Sequence, residues 1–108
     1  MHELSIALAI VEIAEERAGD AKVLRIVVEV GRLSAVMPDA LAFAWEAATA
    51  DSTLAGAALD IVTTAGLGRC RACHTEHALD VPFGRCPCGT DLDIVGGLDL
   101  KIREMEVT

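Results

Sequence analysis

Apolar residues recur at helical spacing over residues 3–18 and then alternate with polar ones over 22–33. In the first stretch Ser5, Glu12 and Glu16, with Ala9 between them, fall on one narrow polar stripe. Leu4, Leu8, Val11, Ile6, Ile10 and Ile13 fill the broader remainder. This pattern predicts a mostly buried helix that stops near Gly19-Asp20. In the second stretch Leu24, Ile26, Val28 and Val30 alternate with Arg25, Val27 and Glu29, which predicts a strand with Gly31 near its end. Pro38 suits the first turn of a second helix, and Asp39 is favourable beside its positive end. That helix is expected to run to about residue 50, with Leu41, Ala44, Trp45 and Ala48 on one face. A second strand is expected over 57–64, alternating Ala57, Leu59, Ile61 and Thr63. Strand, helix, strand with a crossover of this length predicts a parallel pair in right-handed connection. A third strand is expected over 98–107. Leu98, Leu100 and Ile102 are in phase there, whereas Met105 and Val107 are out of phase, as a β-bulge near Arg103-Glu104 would produce.

Between the second and third strands the texture changes. Gly66 and Gly68 open a segment rich in Cys, His, Gly and Pro, and Gly96-Gly97 close it. Glycines at both borders suggest a hinged insertion that could pivot.

The chain has 108 residues, enough for one small domain with an appended module. Hydrophobic residues make up 53%, which fits a folded chain. Lys and Arg number 9 against 17 Asp and Glu, a net charge of −8. That balance disfavours a nucleic-acid backbone or an anionic membrane surface as a partner. The three aromatics, Phe43, Trp45 and Phe83, leave the core to Ala, Val, Leu and Ile and offer no base-stacking platform. No apolar run approaches the roughly 18 residues of a membrane helix. The first residues fail as a signal peptide, because Glu3 stands where a positive region belongs. A cytoplasmic protein is therefore expected, in which four cysteines read as metal ligands or thiols.

Those cysteines are Cys70, Cys73, Cys86 and Cys88, spaced C-x2-C, then twelve residues, then C-x-C. Two close pairs joined by a short hairpin can set four thiolates at the corners of a tetrahedron, a geometry that selects zinc. Such a closed site stabilises a segment too small for its own core. An iron–sulfur cluster or a redox dithiol are the alternatives. Cys86-Pro87-Cys88 is one residue shorter than a usual zinc-ribbon pair, and His74 and His77 are the available substitutes.

Met1-His2-Glu3 is the second chemical site. Met1 is expected to be retained, because His2 is not small, and to carry the α-amine. That amine, the deprotonated His2 amide and the His2 imidazole close a five- and a six-membered ring around one ion. An all-nitrogen, roughly planar set suits Ni(II) or Cu(II). The Glu3 amide, the Glu3 carboxylate or water could be the fourth ligand.

Met1-His2-Glu3-Leu4-Ser5, Gly31-Arg32-Leu33-Ser34-Ala35-Val36, and the cysteine ribbon followed by Gly97-Leu98-Asp99-Leu100 together resemble the HypA/HybF family of hydrogenase nickel-incorporation proteins. The resemblance covers essentially the entire chain. Two departures stand out: Ala35 replaces a glycine usual after the Leu-Ser, and the second cysteine pair is short.

The resemblance implies a metallochaperone, not an enzyme, that delivers Ni(II) to the large subunit of [NiFe]-hydrogenase together with a nickel-handling GTPase. It implies nickel at His2 and Glu3, with Met1 offering its amine, and a structural zinc on Cys70, Cys73, Cys86 and Cys88. The fold expected is α+β. A nickel domain of two helices on a three-stranded mixed sheet (1–65 plus 98–108) would carry an inserted zinc-ribbon domain (66–97). A homodimer is left open. The rivals are a plain zinc-ribbon interaction module and a zinc hydrolase. The latter needs an open metal position beside a base such as Glu76, His74 or His77.

Overall fold

The computed structural model describes residues 2–108. Its elements in chain order are α1 (Glu3–Ala18), β1 (Val23–Gly31), α2 (Pro38–Thr49), β2 (Ala58–Thr64), β3 (Gly66–Cys70), β4 (Glu76–Leu79), β5 (Leu92–Gly96) and β6 (Leu100–Val107). They form two three-stranded sheets, ordered β2-β1-β6 and β4-β3-β5. The first is mixed and carries the two helices, as the sequence pattern implied. Among the described residues no helix is long and apolar enough to cross a membrane.

The chain divides into two compact units. One comprises the segment ending at Glu29, Val36–Val62 and Lys101–Thr108. In it α1 packs against α2. The C-cap of α1 is Gly19 at φ 59, whose N–H reaches Glu15 O at 3.1 Å. Pro38 opens α2 after an extended Met37. Trp45 donates from Nε1 to Ala57 O at 2.9 Å, seating α2 on the chain that enters β2. The Glu15 carboxylate accepts from the Thr53 hydroxyl at 2.8 Å and from its amide at 3.3 Å, tying the connecting loop to α1.

The inward face of α1 differs from the one its hydrophobicity suggests. Ala7, Ile10, Val11 and Ala14 are buried together with Glu3, whereas Leu4, Leu8 and Ile13 are about half exposed. Ala7 and Ala14, with no exposed surface, allow α1 a close approach, and among the described residues no further layer covers its outer face. The same correction holds in β1, the centre of its sheet. Val27 is buried and Leu24 is exposed, the reverse of the simple alternation. Arg25, Val27 and Glu29 share one face of β1. There Arg25 pairs with Asp60 and Glu106, and Glu29 faces Lys101 and Arg103. The stems of these long side chains can shield an apolar neighbour while their charges stay wet. In β6 the half-buried residues are Ile102 and Met105, three apart, so the inward face slips by one residue where the phase break lies.

The other unit comprises Val30–Ala35 and Thr63–Leu100. Here β3 pairs antiparallel with β4, Gly66 opposite Leu79 and Arg69 opposite Glu76. It pairs antiparallel with β5 on its other edge, with a register shift between Leu67 and Gly68. The segment after β1 is laced into this unit by Gly31 N to Asp99 O at 2.6 Å, Arg32 N to Thr64 O at 2.9 Å and Leu33 N to Gly97 O at 2.7 Å. At these crossings the border glycines are closely packed. A Cβ at Gly31 would stand 2.1 Å from Gly97 O, and one at Gly66 would stand 2.2 Å from Leu79 O. The buried apolar side chains of this unit are few, chiefly Val30, Leu33 and Leu79, with Cys70 and Cys86 beside them.

Candidate metal centres

Strand β3 ends on Cys70, and the turn that follows carries Cys73 before the chain returns as β4. His74 N donates to Cys70 O at 2.9 Å and closes this turn, while Cys70 N donates to Thr75 O at 2.9 Å and joins its ends. The second knuckle repeats the frame. Gly89 N donates to Cys86 O at 2.8 Å, and Cys86 N donates to Thr90 O at 2.8 Å. Cys86-Pro87-Cys88 thus drops one residue from the loop but keeps the hydrogen bonds that anchor its ends. The residue after each second cysteine is left-handed, His74 at φ 64 and Gly89 at φ 94.

The result is a four-sulfur cluster. The Sγ atoms of Cys70, Cys73, Cys86 and Cys88 all lie within 4.8 Å of one another. Cys70 and Cys88 are 3.5 Å apart, and Cys73 and Cys86 are 3.6 Å apart. A tetrahedral ion with metal–sulfur bonds of about 2.3 Å requires edges of about 3.8 Å, so the cluster fits zinc. Four sulfurs fill a tetrahedral shell. The shortened pair brings both its sulfurs to the cluster, and an ion held by all four would have no position open for water or substrate.

The first cysteine of each knuckle is buried and the second exposed. The exposed sulfurs each meet a threonine hydroxyl two residues on: Cys73 Sγ lies 3.1 Å from Thr75 Oγ1, and the Cys88 thiol donates to Thr90 Oγ1 at 3.4 Å. The Thr75 hydroxyl and then its amide hold the Cys73 thiol down at about 6. The hydroxyl and then the amide of Thr90 lower Cys88 likewise. At Cys86 the Cys88 amide favours the thiolate, but burial and the neighbouring thiols outweigh it and push this group up to about 11. His77 is half-buried, with Nε2 at 2.9 Å from Thr75 Oγ1 and 3.7 Å from Cys86 Sγ, whereas His74 is exposed. The threonines are the contribution that sequence reasoning missed. The repeated Cys-x-Thr, in Cys73-His74-Thr75 and Cys88-Gly89-Thr90, is the signal that could have found them.

At the other end of the chain, His2 is exposed and forms the N-cap of α1. Its carbonyl accepts from Ile6 N at 3.1 Å and from the Ser5 hydroxyl at 2.9 Å. Glu3, the next residue, is only 5% exposed. Its carboxylate accepts from the amide of Met37, the N-cap residue of α2, at 3.3 Å. An anion is favourable where a helix begins, and Glu3 stands at the starts of two. Met1, expected to supply the α-amine, lies outside the described residues.

A family model described as hydrogenase/urease nickel incorporation, metallochaperone, matches residues 1–107. The chain belongs to the HypA family. HypA proteins are nickel metallochaperones of hydrogenase maturation and not enzymes, which removes the zinc-hydrolase alternative. The hydrogenase maturation factor HypA of Nostoc punctiforme is 49% identical, over 99% of this chain and 96% of that protein. The factor of the same name from Geotalea uraniireducens is 43% identical, over 99% of each. Among solved structures, the solution structure of the nickel metallochaperone HypA from Helicobacter pylori matches with a TM-score of 0.66 at 24% identity. It covers 99% of this chain and 97% of that one, and supports the fold.

Proposed function

We propose that this HypA protein carries Ni(II) as cargo on its amino terminus and hands it to the large subunit of [NiFe]-hydrogenase, in company with a nickel-handling GTPase, in the cytoplasm. The Met1 amine, the His2 amide and the His2 imidazole bind the ion. Glu3 contributes through its backbone amide, since its carboxylate is engaged with the start of α2. A structural zinc sits on Cys70, Cys73, Cys86 and Cys88 and holds residues 66–97 in shape. Residues 1–65 plus 98–108 serve as the nickel-binding domain.

The observation that carries this reading is the pairing of an exposed His2 at the head of α1 with a four-cysteine cluster elsewhere in the chain. A shallow site at a chain end has few ligands and can release its ion by exchange. A closed four-sulfur site exchanges slowly and suits a structural ion. The family description admits urease as well as hydrogenase, and eight relatives at 43–49% identity are named for hydrogenase.

Isothermal titration of Ni(II) into zinc-loaded protein with a native amino terminus tests the reading. One nickel per chain is expected. His2→Ala should remove most of the affinity while zinc content and secondary structure stay unchanged. Residues added ahead of Met1 should be nearly as damaging, because they turn the α-amine into a peptide amide that must lose a proton before it can bind. Undiminished nickel binding by His2→Ala would sink the site, and tight binding by an extended chain would exclude the α-amine.

A further inference from the structure

We propose that Thr75 and Thr90 are positioning residues for zinc: a matched pair of hydroxyl donors to the two solvent-facing thiolates, Cys73 and Cys88. The proposal rests on the zinc reading given above. Its first support is the repetition. The two knuckles differ in length, yet each carries a threonine two residues beyond its exposed cysteine, bonded through its carbonyl to the amide of the buried one. The left-handed residue between, His74 or Gly89, turns the chain so that the hydroxyl returns to the sulfur. One such contact is a common turn feature. Two, placed alike on frames of unequal length, mark a requirement of the cluster.

The second support is charge. Four thiolates around a divalent ion leave two negative charges, and exposed sulfurs hold that charge best with fixed donors. Two of the nearby arginines are already paired, Arg71 to Asp93 at 2.7 Å and Arg85 to Asp91 at 3.3 Å. Buried Cys70 receives the Cys73 amide, at 3.4 Å. The hydroxyls stand nearest the exposed pair, with Thr75 Oγ1 also 3.8 Å from Cys86 Sγ.

Hydrogen-bond direction then assigns a role to His77. A metal-bound thiolate has no proton and only accepts, so Thr75 must donate to Cys73, and the Cys88–Thr90 bond, in which the metal-free thiol donates, reverses when the ion displaces that proton. Its oxygen can therefore only accept from the His77 ring nitrogen 2.9 Å away. That nitrogen, Nε2, carries a proton and cannot itself bind zinc. His77 orients Thr75 and is no stand-in for a cysteine.

The test uses Thr75→Val and Thr90→Val, which keep the shape and delete the hydroxyl, alone and together, with Thr75→Ser and Thr90→Ser as rescue. Zinc affinity is measured by competition with a chelating dye. The thiolate-to-metal charge-transfer band is measured on the Co(II)-substituted protein. Each Val variant should bind zinc about tenfold more weakly, within the range seen when partners of metal ligands are removed. The band should move to longer wavelength as a sulfur loses its hydrogen bond, and Ser should restore both. A threonine that only stabilised the turn would lower the melting temperature without moving the band. Should the double variant not fold, the single variants carry the same readouts. Val variants that hold zinc within twofold of the parent, with an unshifted band, would overturn the proposal. A parent protein lacking a four-thiolate cobalt spectrum would overturn the zinc reading and this proposal with it.

Discussion

At the scale of single residues, two positions show the backbone working against its side chains. Ala35 has φ 67 and His74 has φ 64, a region that costs an L-residue about 1–2 kcal/mol relative to glycine. Ala35 is the position where the family resemblance leads one to expect glycine, and it is exposed. Ala35→Gly is therefore expected to raise stability by about 0.5–1 kcal/mol, after allowing for the extra freedom glycine gives the unfolded chain. Thermal unfolding should show a higher midpoint, and an unchanged or lower one would contradict the strain. Glu3 is the converse case, a charged side chain placed where the fold needs it. Glu3→Ala strands the Met37 amide and should cost about 1–3 kcal/mol. If the backbone amide is what Glu3 offers to nickel, this variant still takes up one equivalent. Loss of stoichiometry with the fold intact would make the carboxylate a ligand.

At the scale of elements, the extents of helices and strands could be read from the sequence, and their faces only partly. Pro38 and Gly19 mark helix ends through backbone chemistry that no neighbour overrides, so α1 and α2 begin and end close to where they were expected. The inward face of α1 depends on what packs there, and small residues win when another helix comes close. Leu8→Ala should therefore change stability by under about 0.5 kcal/mol, as at other exposed sites. Leu41→Ala, at a position with no exposure, should cost about 2–5 kcal/mol. Urea unfolding of the two variants side by side decides it, and a large loss at Leu8 would restore the simple amphipathic reading. The second sheet was less legible still. Gly66-Leu67-Gly68-Arg69-Cys70 has neither alternation nor β-branched residues, and it forms a strand because β4 and β5 pair with it on both edges. The four cysteines announced themselves by spacing. The threonine hydroxyls did not, because a hydroxyl near a turn is common and only the geometry gives it a target.

At the scale of the whole molecule, the two units have unequal means of support. The unit with α1 and α2 holds an apolar core that includes Ile26, Val28, Leu41, Trp45 and Leu54. The unit with β3, β4 and β5 buries few large side chains, and its two knuckles converge on the four sulfurs. A metal that binds the folded arrangement and not the unfolded one contributes its binding energy directly to folding. Cys73→Ser removes an exposed ligand without opening a cavity, so its effect reports on the metal and not on packing. The expected result is loss of zinc, with amide hydrogen exchange rising sharply across Gly66–Cys70, Glu76–Leu79 and Leu92–Gly96. Amides of α1, α2 and the first part of β1 should keep most of their protection, and nickel uptake that depends on His2 should persist. Exchange mass spectrometry with metal analysis reads all of this in one preparation. If Cys73→Ser keeps a full complement of zinc, another group completes the shell. If every segment loses protection together, the two units fold as one, and the zinc supports the nickel site as well as its own knuckles.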